Sequence, residues 1–418
     1  MLSSIGRTLL AACAILVATM PWAANAEPLT LAAAIDRTLA GNPELGVYVH
    51  RRSAQQARVD AAALPPPFEL SAEVEDAFGT GRASGFDSAE TTFAFSKVIE
   101  LGDKRALRVD GARQAADLIA AERAAAEIDV LAEVARRFIH VASDQEQLLL
   151  TMRGTELAGE TVAATAERVA AARAPDVELR RARVALARAG IEREHAEHEL
   201  LSSRRRLAAM WGAGEPDFDE VAGDLYSLPE IETFESLLAR LDDSPQFLRF
   251  ASEARLRDAE LRVAEAQARA NLTVNAGVRL LHESDDEALV FGITRPVGAA
   301  ARAESAANVA AAARAQSDAE LEAHRVRAEA QLFELYQELR HALTESEVLE
   351  TSVIPEMEAA LEDTRYAFER GRYSFLEWVD AQRELIDVER ARIDAAANAH
   401  LFLVEIERLT GEPMTATN

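Results

Sequence analysis

A single cysteine, Cys13, is the only thiol in these 418 residues. It falls in an N-terminal leader: Arg7 supplies a positive start, residues 8–20 an apolar run, and Ala24-Asn25-Ala26 a small-x-small cleavage site. Cleavage after Ala26 leaves a mature chain without cysteine, which excludes disulfides, zinc–thiolate centres and a thiol nucleophile. Leu10-Ala11-Ala12-Cys13 also reads as a lipobox, so lipidation at Cys13 is the competing fate of the leader. Positive charge is scarce as well. With Arg7 removed, 44 Lys and Arg face 71 Asp and Glu, a net charge of −27. Such a chain repels nucleic acid, which is excluded as a partner. Beyond residue 26 no segment holds 18 uninterrupted apolar residues, so no membrane-spanning helix is expected. Phosphate loops and nucleophile motifs are missing too, so neither an enzyme nor a bound cofactor is expected. Proline is absent from 103–173, where glycine stands only at 111, 154 and 159.

What is present is one design written twice. Thr30-Leu31-Ala32, Ile35, Leu39 and Asn42-Pro43-Glu44-Leu45 are answered by Thr233-Phe234-Glu235, Leu237, Leu241 and Ser244-Pro245-Gln246-Phe247. In each, Asn or Ser precedes a proline that opens a helix. A cap oxygen takes a free N–H there, and proline has none to lose. Pro43 and Pro245 are 202 apart, Gly102 and Gly298 are 196 apart, and "PDVELRRARVAL" from 175 matches "SFLEWVDAQREL" from 374 at 199. The expected division is a leader at 1–26, a first repeat at 27–212, a connector at 213–229, a second repeat at 230–411 and a tail at 412–418.

Each half reads as short helices, two strands and two long helices. Phe68, Leu70, Ala72 and Val74 alternate with Glu69, Ser71, Glu73 and Glu75, and Leu272 to Leu280 alternates in the same way. This is the period of a strand with one apolar and one wet face. Strands are expected at about 68–76, 91–99, 272–280 and 289–297, long enough to cross a membrane when tilted. A small soluble sheet packed on the helices stays open as the alternative. Alanine-rich helices are expected at 103–173, 176–210, 299–370 and 374–409, with Pro355 kinking or restarting the third.

The opening "LTLAAAIDRTLAGNPEL", the hairpins and the "G-x-x-x-x-L-x-x-x-D-A-Q" turn at 371–382 resemble the TolC-like outer-membrane efflux protein family across the whole mature chain. "FSKVIELGDKRALR" (95–108) is similar to the CzcC-type, heavy-metal branch. The resemblance implies a mainly α fold with one transmembrane β-hairpin per repeat. Three copies would form an α-helical tunnel under a 12-stranded β-barrel, seated in outer-membrane lipid with a large periplasmic portion. It further implies an exit duct for divalent metal cations, working with a periplasmic adaptor (membrane fusion) protein and an inner-membrane RND transporter. A drug-efflux or type I secretion duct, and a periplasmic coiled-coil adaptor or scaffold, are the alternatives.

For Glu377 and Asp380, three apart on one helix face, the resemblance implies rings of carboxylates at a constriction, with Glu178 and Arg181 at the matching positions of the first repeat. Asp380–Arg181 pairing between neighbouring hairpins is then available. The turns at Ala174, Pro175 and Asp176, and at Gly371, Arg372, Tyr373 and Ser374, become the periplasmic tip and adaptor contact. Glu69, Glu73 and Glu75 are expected in the barrel lumen. His195 and His198 are too small a set for a metal site, and no metal ligand is assigned.

Overall fold

The computed structural model describes residues 27–412; the expected leader with Cys13, and the tail past Glu412, lie outside the described residues. The chain runs β1 (Leu29–Thr30), α1 (Leu31–Gly41), α2 (Pro43–Ala63), β2 (Phe68–Glu75), β3 (Glu90–Ile99), α3 (Lys104–Ala170), α4 (Asp176–Ala208), β4 (Val221–Ala222), α5 (Phe234–Arg240), α6 (Pro245–Ala266), β5 (Leu272–Leu281), β6 (Asp286–Thr294), α7 (Ala299–Val348), α8 (Ile354–Glu369) and α9 (Phe375–Thr410).

Alanine and unbranched side chains let α3 run for 67 residues, about 100 Å at the α-helical rise. The partner α4 returns along it, α9 returns along α7 and α8, and α3 packs on α9 to join the two hairpins. The stretch 299–370 is divided rather than merely bent. Pro355 has no N–H to donate, and its ring would meet the Thr351 carbonyl in a regular helix. The ladder widens into a π turn over Leu349–Val353, and α8 begins beyond it.

Helix starts follow capping chemistry in all but one predicted place. Thr30 accepts from the Ala33 N–H, and Asn42 accepts from Glu44 and Leu45 ahead of Pro43 at the first helical position. Ser244 corrects the expectation: its hydroxyl is buried and makes no capping bond. Packing holds that corner instead. A Cβ at Gly411, which ends α9, would stand 2.6 Å from Pro245 Cδ and 3.0 Å from Ser244 Cα.

Among the described residues three apolar clusters form the core, one of them at the far end of the hairpins, and α9 serves all three. Ile393, Ala396, Ala397 and Val404 enter the cluster built from α1, α3 and α4; Ala399, Ile406 and Leu409 enter the one built with α5 and α7. A helix buried on opposite sides is apolar around most of its girth. The stretch 213–229 is no loose linker. Phe218, Val221 and Leu225 are buried in the first cluster, and β4 pairs with β1 in parallel.

The four remaining strands form one antiparallel sheet in the order β2-β3-β5-β6. Phe68 pairs with Lys97, Phe95 with Leu70 and Ala276, and Ala276 with Phe291. The last strand spans Asp286–Thr294 rather than 289–297. Pro296 has no N–H for the ladder, and Asp285 at φ 57° allows a tighter turn before the strand. At that end of the sheet Phe78 packs edge-on against Phe86, and Arg82 pairs with Glu283 across the loops.

Candidate functional site

The first candidate surface is the sheet. Register puts Phe68, Leu70, Val74, Phe93, Phe95, Leu289, Phe291 and Ile293 on one face. Phe291 is 74% exposed, Leu289 72% and Phe95 62%. The helices therefore do not cover this face, and the small soluble sheet is ruled out as an account of it. So much contiguous exposed apolar area marks contact with a membrane or a partner. The outer strands β2 and β6 leave their outer backbone groups unpaired, which lipid does not tolerate.

The opposite face carries Glu69, Ser71, Glu73 and Glu75. Glu75 is not free to attract cations. Arg279 of β5 donates to Glu75 (2.9 Å), Glu90 (2.5 Å) and Thr92 (3.0 Å). Glu69 accepts from the Ser96 hydroxyl at 3.5 Å, and Glu73 stands beside its ladder neighbour Thr92 with no ion pair among the described residues. The alternation of 272–280 placed Arg279 on the wet face; its role as the counter-charge needed the register.

The second candidate surface is the far end of the helical hairpins. Gly371 takes φ 72° there, which glycine adopts without strain, and Arg372 closes back on the Ala367 carbonyl. Ser374 then caps α9. Its hydroxyl accepts from the Glu377 N–H (3.4 Å), while Glu377 Oε2 accepts from the Ser374 N–H (2.6 Å) and hydroxyl (2.8 Å), a capping box. The Ser374 backbone and hydroxyl hold the Glu377 carboxyl below its ordinary range. Asp380 is exposed and pairs with Arg383 one turn on, at 3.6 Å. Within the chain the structure therefore does not join Asp380 to Arg181, which is exposed and has no ion pair among the described residues. Glu178 is half-buried, with one carboxylate oxygen out of solvent and unpartnered. Ala174, Pro175 and Asp176 form the other turn, where Ala172 stands at φ 57°.

The aromatics of this end are packing groups. Phe368, wholly buried, stacks on Trp378 at 4.8 Å between centroids, with Phe375 and Ala182 alongside. Arg168 of α3 covers Phe368 (4.1 Å to the ring) and donates to its carbonyl (2.8 Å). Tyr373 stays exposed. Gln382 ties the hairpins one turn further in. Its Nε2 donates to the Leu157 carbonyl (3.3 Å), and its Oε1 lies 3.1 Å from the Thr161 hydroxyl. Gln382 ends the "D-A-Q" of the turn, but no local pattern gives it this task, and nothing in the sequence singles out Arg168. His195 and His198 are exposed on α4, and among the described residues no group of three or more His, Cys, Asp or Glu is placed to hold a metal ion.

Two long helical hairpins ending in an uncovered, lipid-suited sheet define an outer-membrane efflux channel with a large periplasmic portion. Residues 34–213 match the model of the outer membrane efflux protein family. It is 28% identical to the cobalt-zinc-cadmium resistance protein CzcC of Cupriavidus metallidurans over 386 residues, 92% of this chain and 91% of the relative. Among solved structures it resembles CusC, with a TM-score of 0.75 at 14% identity over 95% of this chain and 96% of the other. It also resembles the outer membrane protein VceC of Vibrio cholerae, with a TM-score of 0.74 at 16% identity over 92% and 97%. At such identities these two likenesses bear on the fold.

Proposed function

We propose that the chain is the passive exit duct for divalent heavy-metal cations in a tripartite efflux system. The observation that carries the cargo is the near full-length likeness to the cobalt-zinc-cadmium resistance protein. Three copies close the sheet: each contributes four strands and two open edges, and pairing β2 of one with β6 of the next yields twelve strands with no edge in lipid. A periplasmic adaptor and an inner-membrane RND transporter supply coupling and energy; the duct itself hydrolyses nothing. At the tip, Glu377 and Asp380 with Glu178 and Arg181 ring the axis, and the turns around Pro175 and Gly371 meet the adaptor. Glu69 and Glu73 line the lumen as its unpaired acids, which favours cations.

Deleting the gene should lower tolerance to zinc, cadmium or cobalt and leave tolerance to hydrophobic drugs unchanged, with restoration by the plasmid-borne gene. Unchanged metal tolerance in a strain lacking other metal exporters rejects the cargo. Loss of drug tolerance instead would make it a drug duct.

A further inference from the structure

The junction of β3 and α3 carries a feature that transport does not require. A cleft of about 800 Å³ opens between the α2–β2 link and the start of α3. In a chain this acidic, its lining is unexpectedly basic: Lys97, Lys104, Arg105 and Arg113. Two acids share the lining, Glu100 and Asp103. Glu100 is neutralised by the Arg108 fork, so Asp103 is the one uncompensated negative charge. Lys104 is buried and donates to Asn271 Oδ1 at 2.7 Å. Lys97, Arg105 and Arg113 have no carboxylate at ion-pair distance among the described residues, whereas Arg108, Arg123 and Arg262 each have one.

The position of Lys97 says what the cleft faces. Register sets it on the apolar face, opposite Phe68, and its ammonium lies 4.3 Å from the centre of the exposed Phe68 ring. It therefore lies at the helix-proximal edge of the lipid-suited face, with Ile99 alone beyond it on β3. A long basic side chain at that height reaches out of the hydrocarbon to the headgroups. The cleft and its other unpaired bases continue that face at headgroup depth on the periplasmic side.

We propose that this cleft binds the phosphate of an anionic phospholipid in the periplasmic leaflet of the outer membrane. The proposal rests on the sheet being seated in lipid and is independent of the cargo. Basic pockets at the edge of a membrane-embedded surface bind anionic headgroups, with roughly a fivefold gain for each basic residue near the membrane surface. The corresponding junction after β6 is less suited: Gly298 matches Gly102, and the positions of Lys97, Arg105 and Arg113 hold Ile293, Ala301 and Val309. One headgroup site per chain is expected.

The test is native mass spectrometry of the full-length protein, purified in neutral detergent and titrated with phosphatidylglycerol, phosphatidylcholine or inorganic phosphate. The wild type should bind phosphatidylglycerol at least about tenfold more tightly than phosphatidylcholine. Lys97→Gln, Arg105→Gln and Arg113→Gln together should abolish that preference. Asp103→Asn should strengthen it, and asparagine tolerates the left-handed backbone at that position (φ 57°). Equal binding of the two lipids by the wild type overturns the proposal, as a cleft filled by a second copy of the chain would also read. An undiminished preference in the triple variant overturns it too. Displacement of the lipid by millimolar inorganic phosphate shows a free-anion site and likewise overturns it. Heat-modifiable oligomers and single-channel conductance, measured on the same samples, judge the duct reading separately. If the triple variant does not assemble, Arg113→Gln and Asp103→Asn carry the test with opposite expected signs.

Discussion

Ala172 holds the left-handed backbone (φ 57°) that Gly371 holds 199 residues later. For a residue with a Cβ this conformation costs roughly 1–2 kcal/mol. The first tip turn is thus strained where the second is not. Ala172→Gly should stabilise that turn by about 0.5–1 kcal/mol and Gly371→Ala should weaken the other by about 1 kcal/mol, read as opposite changes in amide hydrogen-exchange protection around each turn. Protection that is unchanged in both variants refutes the strain. The tip acids call for a different substitution. Replacing Glu377 with alanine would remove charge and cap together, whereas glutamine still completes a capping box. Glu377→Gln with Asp380→Asn should weaken divalent-cation block in planar bilayers without shifting the melting temperature. Because its folded carboxyl titrates below the ordinary value of 4.5, the contribution of Glu377 to wild-type block should persist as pH falls through 4.5 and vanish only below it. Block that is unaltered in the double variant removes these residues from the constriction.

At the level of elements, the π turn before Pro355 faces a charged cluster between α3, α8 and α9. Arg153 pairs with Glu389 and, at 3.3 Å, with Glu358, while Arg392 reaches Glu350 of the π turn at 2.7 Å. Burial pushes the Glu389 carboxyl up, and Arg153 offsets this only in part. A carboxyl that binds its proton more tightly when folded makes the native state the better proton binder above the ordinary value of 4.5. Its ionisation therefore lowers stability as pH rises from there through the folded value. Glu389→Gln should flatten that decline, with a higher melting temperature near neutrality and little change at pH 4. A melting curve that keeps the wild-type pH dependence would assign the decline to Asp144 and Asp394, whose carboxyls burial also raises. The break in 299–370 was legible as Pro355. That it becomes a π turn was not, because the choice between kink and widened turn is made by what α9 presents alongside.

For the whole molecule the decisive surface is the sheet that no helix among the described residues covers. Phe291 lies in its middle row with Phe95 and Leu70. Phe291→Lys should cost about 2–4 kcal/mol if that row sits near the bilayer midplane. Outer-membrane fractionation and heat-modifiability should then show the oligomer lost. Glu73→Lys, on the opposite face, should leave assembly intact and lower cation selectivity. Equal assembly of both variants would put the sheet outside lipid.

The helices, the hairpins and the doubling were readable in the chain because each depends on neighbours a few residues apart. Alanine-rich text without proline specifies long helices, period-two alternation a half-buried strand, and Asn42-Pro43 a capped start. The residues that bind the parts together follow no such local rule. Gln382 meets Leu157, Arg168 covers Phe368, Arg279 neutralises Glu75, and Gly411 makes room for Pro245. Each of these pairs is far apart in the chain, so packing and strand register select it. The same holds for the apolar face of the sheet. Alternation named its residues, and their exposure among the described residues showed that they face outward.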